Sequence, residues 1–201
     1  MKSNVLDHLA DYVHVALKKA FSELTRANPD QDFYAFAVFT DDSLQFLHPA
    51  ANTEEALTAT VQRYRETVDP KYGCTSTRTG MRWSYGDWGF FANFGEEHFA
   101  EINEALIANI DGPEEEFYSR IDSLWAAVSD GFQRLEKEGF FGSGSARSKI
   151  TLLVVGDLPA ELGESWVLAL NPPDVADRFL NWNADLPDEA DKKSGQHDDG
   201  R

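Results

Sequence analysis

The chain has 201 residues, 42% of them apolar, with five Trp, six Tyr and fourteen Phe and a formal net charge of −17. That length buries about 70% of the unfolded surface, so a core needs neither disulfide nor metal, and the apolar content excludes a disordered chain. The charge repels nucleic-acid phosphate and anionic lipid, no apolar run approaches the ~18 residues of a membrane span, and the one cysteine, Cys74, cannot form an internal disulfide.

Residues 4–27 place Val5, Leu9, Val13, Ala16, Leu17, Ala20, Phe21 and Leu24 at helical spacing, with Asn4 or Ser3 as cap. Asn28-Pro29-Asp30 stops that helix. Residues 32–40 are apolar, aromatic or β-branched and predict a buried strand; the Asp41-Asp42-Ser43 turn and the run Leu44 to Leu47 suggest a hairpin. Asn52, with Glu55 three positions on, resembles a capping box that opens a helix to about Val68. Residues 69–80 read as a polar loop. One or two short strands follow, broken by Gly86 and Gly89.

Glu96 and Glu97 suit the first turn of a helix over 96–110, where the positive helix end favours their charge. Asp111-Gly112-Pro113 restarts a helix over 113–138, with Phe117, Ile121, Leu124, Trp125, Val128, Phe132 and Leu135 on one stripe. Residues 142–148 form a Gly/Ser loop, and Ile150 to Val155 a second buried strand. Residues 164–170 fit a strand or a helix equally. Pro172-Pro173-Asp174 opens a last helix through Trp182.

The pattern predicts a single α+β domain over 1–183, with a small mixed or antiparallel sheet of about four to six strands flanked by four or five helices. Residues 184–201 read as a polar, disordered tail. With no apolar leader after Lys2 and no disulfide framework, the expected location is the cytoplasm.

Two segments stand out for function. Residues 82–94 hold Trp83, Tyr85, Trp88, Phe90, Phe91 and Phe94, and residues 96–116 hold eight acids with no Lys or Arg. Just before them, 63–82 carry Arg63, Arg65, Lys71, Arg78 and Arg82 against Glu66 and Asp69. Trp83, Tyr85 and Trp88 either line a groove or interface, as large amphipathic rings do, or cap one face of a sheet. Asp87, between aromatic neighbours, suits a general acid raised by desolvation, or equally a turn former after Gly86.

Other chemistry finds little support. His98 and Glu101 lie i, i+3 on one predicted helix, but a metal site needs further ligands. Cys74 sits near Lys71 and Arg78, which favour a thiolate, yet no His is identified as its base. The run Gly142-Ser143-Gly144-Ser145 lacks the Gly-Lys-Ser/Thr of a phosphate loop. Asp157, at a strand end, reads as a turn former as readily as a catalytic group. No catalytic residue, metal or cofactor is expected, and the balance leans away from an enzyme.

The stretch Tyr34 to Asp42, the run Pro49 to Glu55, the segment Arg82-Trp83-Ser84-Tyr85-Gly86-Asp87-Trp88 and the closing Leu170-Asn171-Pro172 resemble an uncharacterised bacterial family, domain of unknown function 4303. The resemblance spans about residues 5–182. It implies a compact α/β domain without an assigned activity, in the company of small acidic proteins near polymorphic toxins. The expected function is therefore a protein–protein interaction module, an immunity (toxin-neutralising) factor that meets a basic partner. Its binding residues would be Trp83, Tyr85, Asp87, Trp88, Glu96, Glu97, Glu114 and Glu115. The alternative is an enzyme or small-ligand binder with a pocket around Trp83 to Trp88. The sequence leaves the oligomeric state open.

Overall fold

The computed structural model describes residues 5–110, 114–158, 160–182 and 184. It is an α+β domain with one open, mixed four-stranded sheet in the order β3-β2-β1-β4. The strands are β1 (Phe33–Thr40), β2 (His48–Thr53), β3 (Phe90–Phe91) and β4 (Thr151–Gly156). β1 pairs antiparallel with β2 and parallel with β4, and the chain between β1 and β4 supplies most of the helices.

Eight α-helices surround the sheet among the described residues: α1 (Leu9–Ala27), α2 (Glu54–Thr67), α3 (Thr75–Trp83), α4 (Ala100–Ile110), α5 (Glu114–Lys137), α6 (Gly144–Arg147), α7 (Ala160–Leu170) and α8 (Pro173–Leu180). A strand sends alternate side chains to opposite faces, and β1 builds two cores in this way. Phe36 and Val38 join Leu17, Phe21, Phe132 and Leu135 beneath α1 and α5. Tyr34, Ala37, Leu153 and Val155 join Leu57, Val61 and Ala176 beneath α2, α3 and α8. The register slips between Phe33 and Ala35, which places Tyr34 and Ala35 in the same core.

Three asparagine side chains pin backbone that no strand covers. Asn103 Oδ1 accepts from Leu47 N at 2.8 Å while its Nδ2 donates to Leu47 O at 3.2 Å. Asn171 does the same for Leu152 on β4, both at 2.8 Å, and its Nδ2 also donates to Val167 O at 3.0 Å. Asn52 Oδ1 accepts from Gly89 N at 3.2 Å.

Arg147 is 4% exposed. Its Nε donates to Glu136, 2.7 Å to Oε2, and its other nitrogens donate to Ile150 O, Leu170 O and Asn171 Oδ1. A buried guanidinium is tolerable because paired charge and hydrogen bonds offset its desolvation.

The sequence expectations need correction in several places. The partner of β1 is residues 48–53, whereas Leu44 and Leu47 are buried without forming a strand. Thr53, not Asn52, caps α2, accepting from Ala56 N at 3.1 Å. The expected loop 69–80 contains a 3-10 turn, Pro70–Gly73, and most of α3. Residues 164–170 belong to a helix, α7. The expected helix 96–110 divides into a 3-10 turn, Glu96–His98, and α4. Residues 111–113 and most of the expected tail lie outside the described residues.

Candidate functional site

The aromatic segment is held to the sheet by the end of α3. The last carbonyls of a helix lack intrahelical partners, and here Arg82 O accepts from Tyr34 Oη at 2.9 Å and Trp88 Nε1 at 3.0 Å. Tyr34 Oη in turn accepts from Asn52 Nδ2 at 2.7 Å. Burial pushes the Tyr34 phenol well above its ordinary pKa, with Arg82 opposing. Trp88, 5% exposed, is a core side chain. Trp83 is half-buried, its ring edge-on to Tyr34 at 5.9 Å and to Phe179 at 5.0 Å. Tyr85 is half-buried against Phe39 and Phe91.

Asp87 closes the 3-10 turn Tyr85–Asp87. Its Oδ1 accepts from Tyr64 Oη at 2.6 Å and its Oδ2 from Ser84 Oγ at 2.9 Å, so it braces the turn against α2. That hydrogen bond, then the carboxylate's charge, raises the Tyr64 pKa. Arg82 lies with its guanidinium 3.8 Å from the Tyr34 ring centroid and pairs with Glu54 at 2.6 Å.

The acidic residues occupy different ground. α4 and α5 pack with α1 on the opposite face of the sheet from Trp83, Tyr85 and Trp88. Glu96 meets His48 at 3.3 Å, and Glu97 and Glu23 flank His98 Nε2 at 3.7 and 2.9 Å. Glu101 and Glu104 on α4, and Glu114, Glu115 and Glu116 on α5, are exposed and make no ion pair among the described residues. Ile107 on α4 and Tyr118 on α5 are 51% and 65% exposed. At the start of α4 a groove of about 300 Å³ runs beside α1, between Asp11, Tyr12, Val15, Lys19, His98 and Glu101. The sequence put Glu101, Glu104 and Glu114 to Glu116 on helices, as found, but set Glu96 and Glu97 on a helix where a 3-10 turn stands, and could not show that a sheet separates the acids from the aromatic segment.

Donor atoms of Glu23, Glu97 and His98 lie within 4.8 Å of one another, and Glu101 is outside that set. Cys74, exposed ahead of α3, has its Sγ 3.2 Å from the hydroxyls of Ser76 and Thr77. Asp157 is exposed just after β4. Among the described residues no helix is long and apolar enough to cross a membrane.

The sequence profile of one family, described as Domain of unknown function (DUF4303), matches residues 13–172, from α1 to the residue before α8. The chain belongs to that family. No curated protein and no solved structure matches it. The matched span includes Tyr34, the segment 82–88 and both Asn103 and Asn171, so the family's span covers the braces just described as well as the acidic helices.

Proposed function

We propose that the protein is a non-enzymatic interaction module whose acidic face, built by Glu96, Glu97, α4 and the start of α5 beside α1, receives a basic protein partner, as a toxin-neutralising immunity factor would. The observation that carries this reading is the α1–α4 groove. Val15, 47% exposed, and Tyr12 line it with Glu101, Asp11, His98 and Lys19, and the carboxylates of Glu104, Glu114 and Glu115 stand exposed on α4 and α5. Apolar anchors inside a charged rim suit recognition of a Lys- or Arg-bearing surface, with the long-range field speeding encounter. Glu96 and Glu97 extend the same charge toward the sheet edge. On this reading Ile107, Tyr118 and Val15 are the anchors, and Trp83, Tyr85, Asp87 and Trp88 hold the scaffold.

The test is binding to the basic proteins encoded by adjacent genes, measured as a function of salt. Affinity should fall by about tenfold or more between ~50 and ~300 mM NaCl, because exposed charges are screened over that range. Reversing Glu96, Glu97, Glu114 and Glu115 to Lys should abolish binding, while Tyr85→Ala should leave it unchanged. Binding indifferent to both salt and charge reversal, or lost with Tyr85→Ala alone, would overturn the proposal.

A further inference from the structure

A second cavity, of about 320 Å³, opens where β1 and β4 begin, at the start of α2 and beside α8. Its walls carry Arg82, Lys149 and Arg178, with Tyr34 and Phe33 as apolar surface and Glu54 and Asp32 as the acids. Glu54 is already engaged by Arg82 at 2.6 Å and by Arg78 at 3.5 Å. Among the described residues no carboxylate pairs with Arg178 or Lys149. Arg178 is nevertheless fixed: its Nη1 donates to Ser148 O at 2.9 Å and its Nη2 reaches Thr151 Oγ1 at 3.4 Å. Its other N–H donors remain for a ligand. Arg82 is held over the Tyr34 ring and by Glu54.

In a chain of net charge −17 this is a local concentration of cations. Burial first, then the nearby Arg82 and Arg147 guanidiniums, depress the Arg178 pKa, with Asp174 opposing. Like charges held this close repel, and an anion bound between them relieves that repulsion. Arg82 lines the cavity from α3 while paired with Glu54, and Arg178 from α8 and Lys149 from the loop before β4 line it without a carboxylate partner among the described residues. That arrangement suits a compact tetrahedral dianion better than a planar carboxylate, which a single Arg can bind bidentately. The surrounding negative field rejects extended polyanions, so the ligand is a small one.

We infer that the cavity between Arg82, Lys149 and Arg178 is a binding site for a small phosphate-class anion, either free phosphate or a phosphate monoester. The site lies at the strand starts, away from the α1–α4 groove, so the two readings stand or fall separately.

The test titrates the full chain with inorganic phosphate, and separately with glycerol phosphate, at ionic strength held constant with NaCl, followed by calorimetry and by Trp fluorescence. Saturable binding is expected, weakened about tenfold or more by Arg178→Gln and by Lys149→Gln, as loss of a charge-assisted contact implies. Lys137→Gln, the same charge change at the exposed end of α5, should leave it unchanged. Tighter binding of glycerol phosphate identifies an ester ligand; tighter binding of phosphate identifies the free ion. Should Arg178→Gln unfold, the exposed Lys149 carries the test alone. No saturable binding, binding unaltered by both substitutions, or equal affinity for acetate would overturn the inference.

Discussion

Tyr34 concentrates several roles in one side chain. It donates to the end of α3, accepts from Asn52, supports the Arg82 guanidinium and walls the cationic cavity. Tyr34→Phe keeps the ring but leaves the buried Asn52 amide without this acceptor, and an unsatisfied buried donor costs about 1–3 kcal/mol; the urea midpoint should fall accordingly. The pH dependence has a definite sign. The folded-state pKa is raised, so the neutral phenol's stabilisation is complete below the unfolded value of about 10 and is lost as pH rises beyond it. Alkaline unfolding monitored by circular dichroism should therefore be less steep for Tyr34→Phe. None of this was legible in the sequence, where Tyr34 is one apolar residue of a strand. The cationic cavity was equally hidden, since Arg82, Lys149 and Arg178 come from segments far apart in the chain.

Elements with strong periodicity were legible: α1, α5, β1 and β4 lie close to where apolar spacing puts them, because each buries a full stripe or both faces. α3 was not, because its only buried residue is Met81 and the rest reads as a polar loop. β2 was hidden by the composition of His48 to Thr53, which includes Pro, two Ala and Asn, all weak strand formers. Pairing with β1 overrides that preference. The α1–α5 crossing depends on a residue the stripe does not reveal. A Cβ on Gly131 would stand 2.8 Å from Ala10 O and from a Val13 methyl. Helix backbones this close admit no side chain between them, so Gly131→Ala should force the helices apart and cost about 1–3 kcal/mol despite its better helix propensity. Thermal unfolding would check this, and an unchanged or raised Tm would contradict it.

Across the whole molecule, charge sets how stability answers to salt and pH. At neutral pH and low salt the net charge of −17 repels itself more in the compact state than in the unfolded one. Two carboxylates act the other way. The Asp32 backbone N–H holds Glu55 below its ordinary 4.5, and the Lys18 ammonium, with His14 beyond it, does the same for Glu138. Depressed values mean stability that is present above 4.5 and lost as pH falls through the lowered ones. Scanning calorimetry at pH 7 should show Tm rising with added NaCl as that self-repulsion is screened. At fixed salt Tm should fall as pH drops below about 4.5, where Glu55 and Glu138 lose their advantage. A Tm indifferent to salt at pH 7 would show that the net charge costs the fold nothing. The same charge is what the sequence conveyed best about function. The division of the molecule by its sheet, acids on one side and aromatic braces on the other, needed the fold.

One side-chain amide bears on how these molecules behave toward one another. β4 is an outer strand, and an outer strand's unused N–H and C=O groups are a template on which another polypeptide can add. By holding both backbone groups of Leu152, Asn171 occupies the place that an incoming strand would take. The buried Arg147 hydrogen-bonds Asn171 and keeps it there. A single amide thus serves as a guard against sheet-to-sheet association, protecting a concentrated solution of this protein from joining edge to edge.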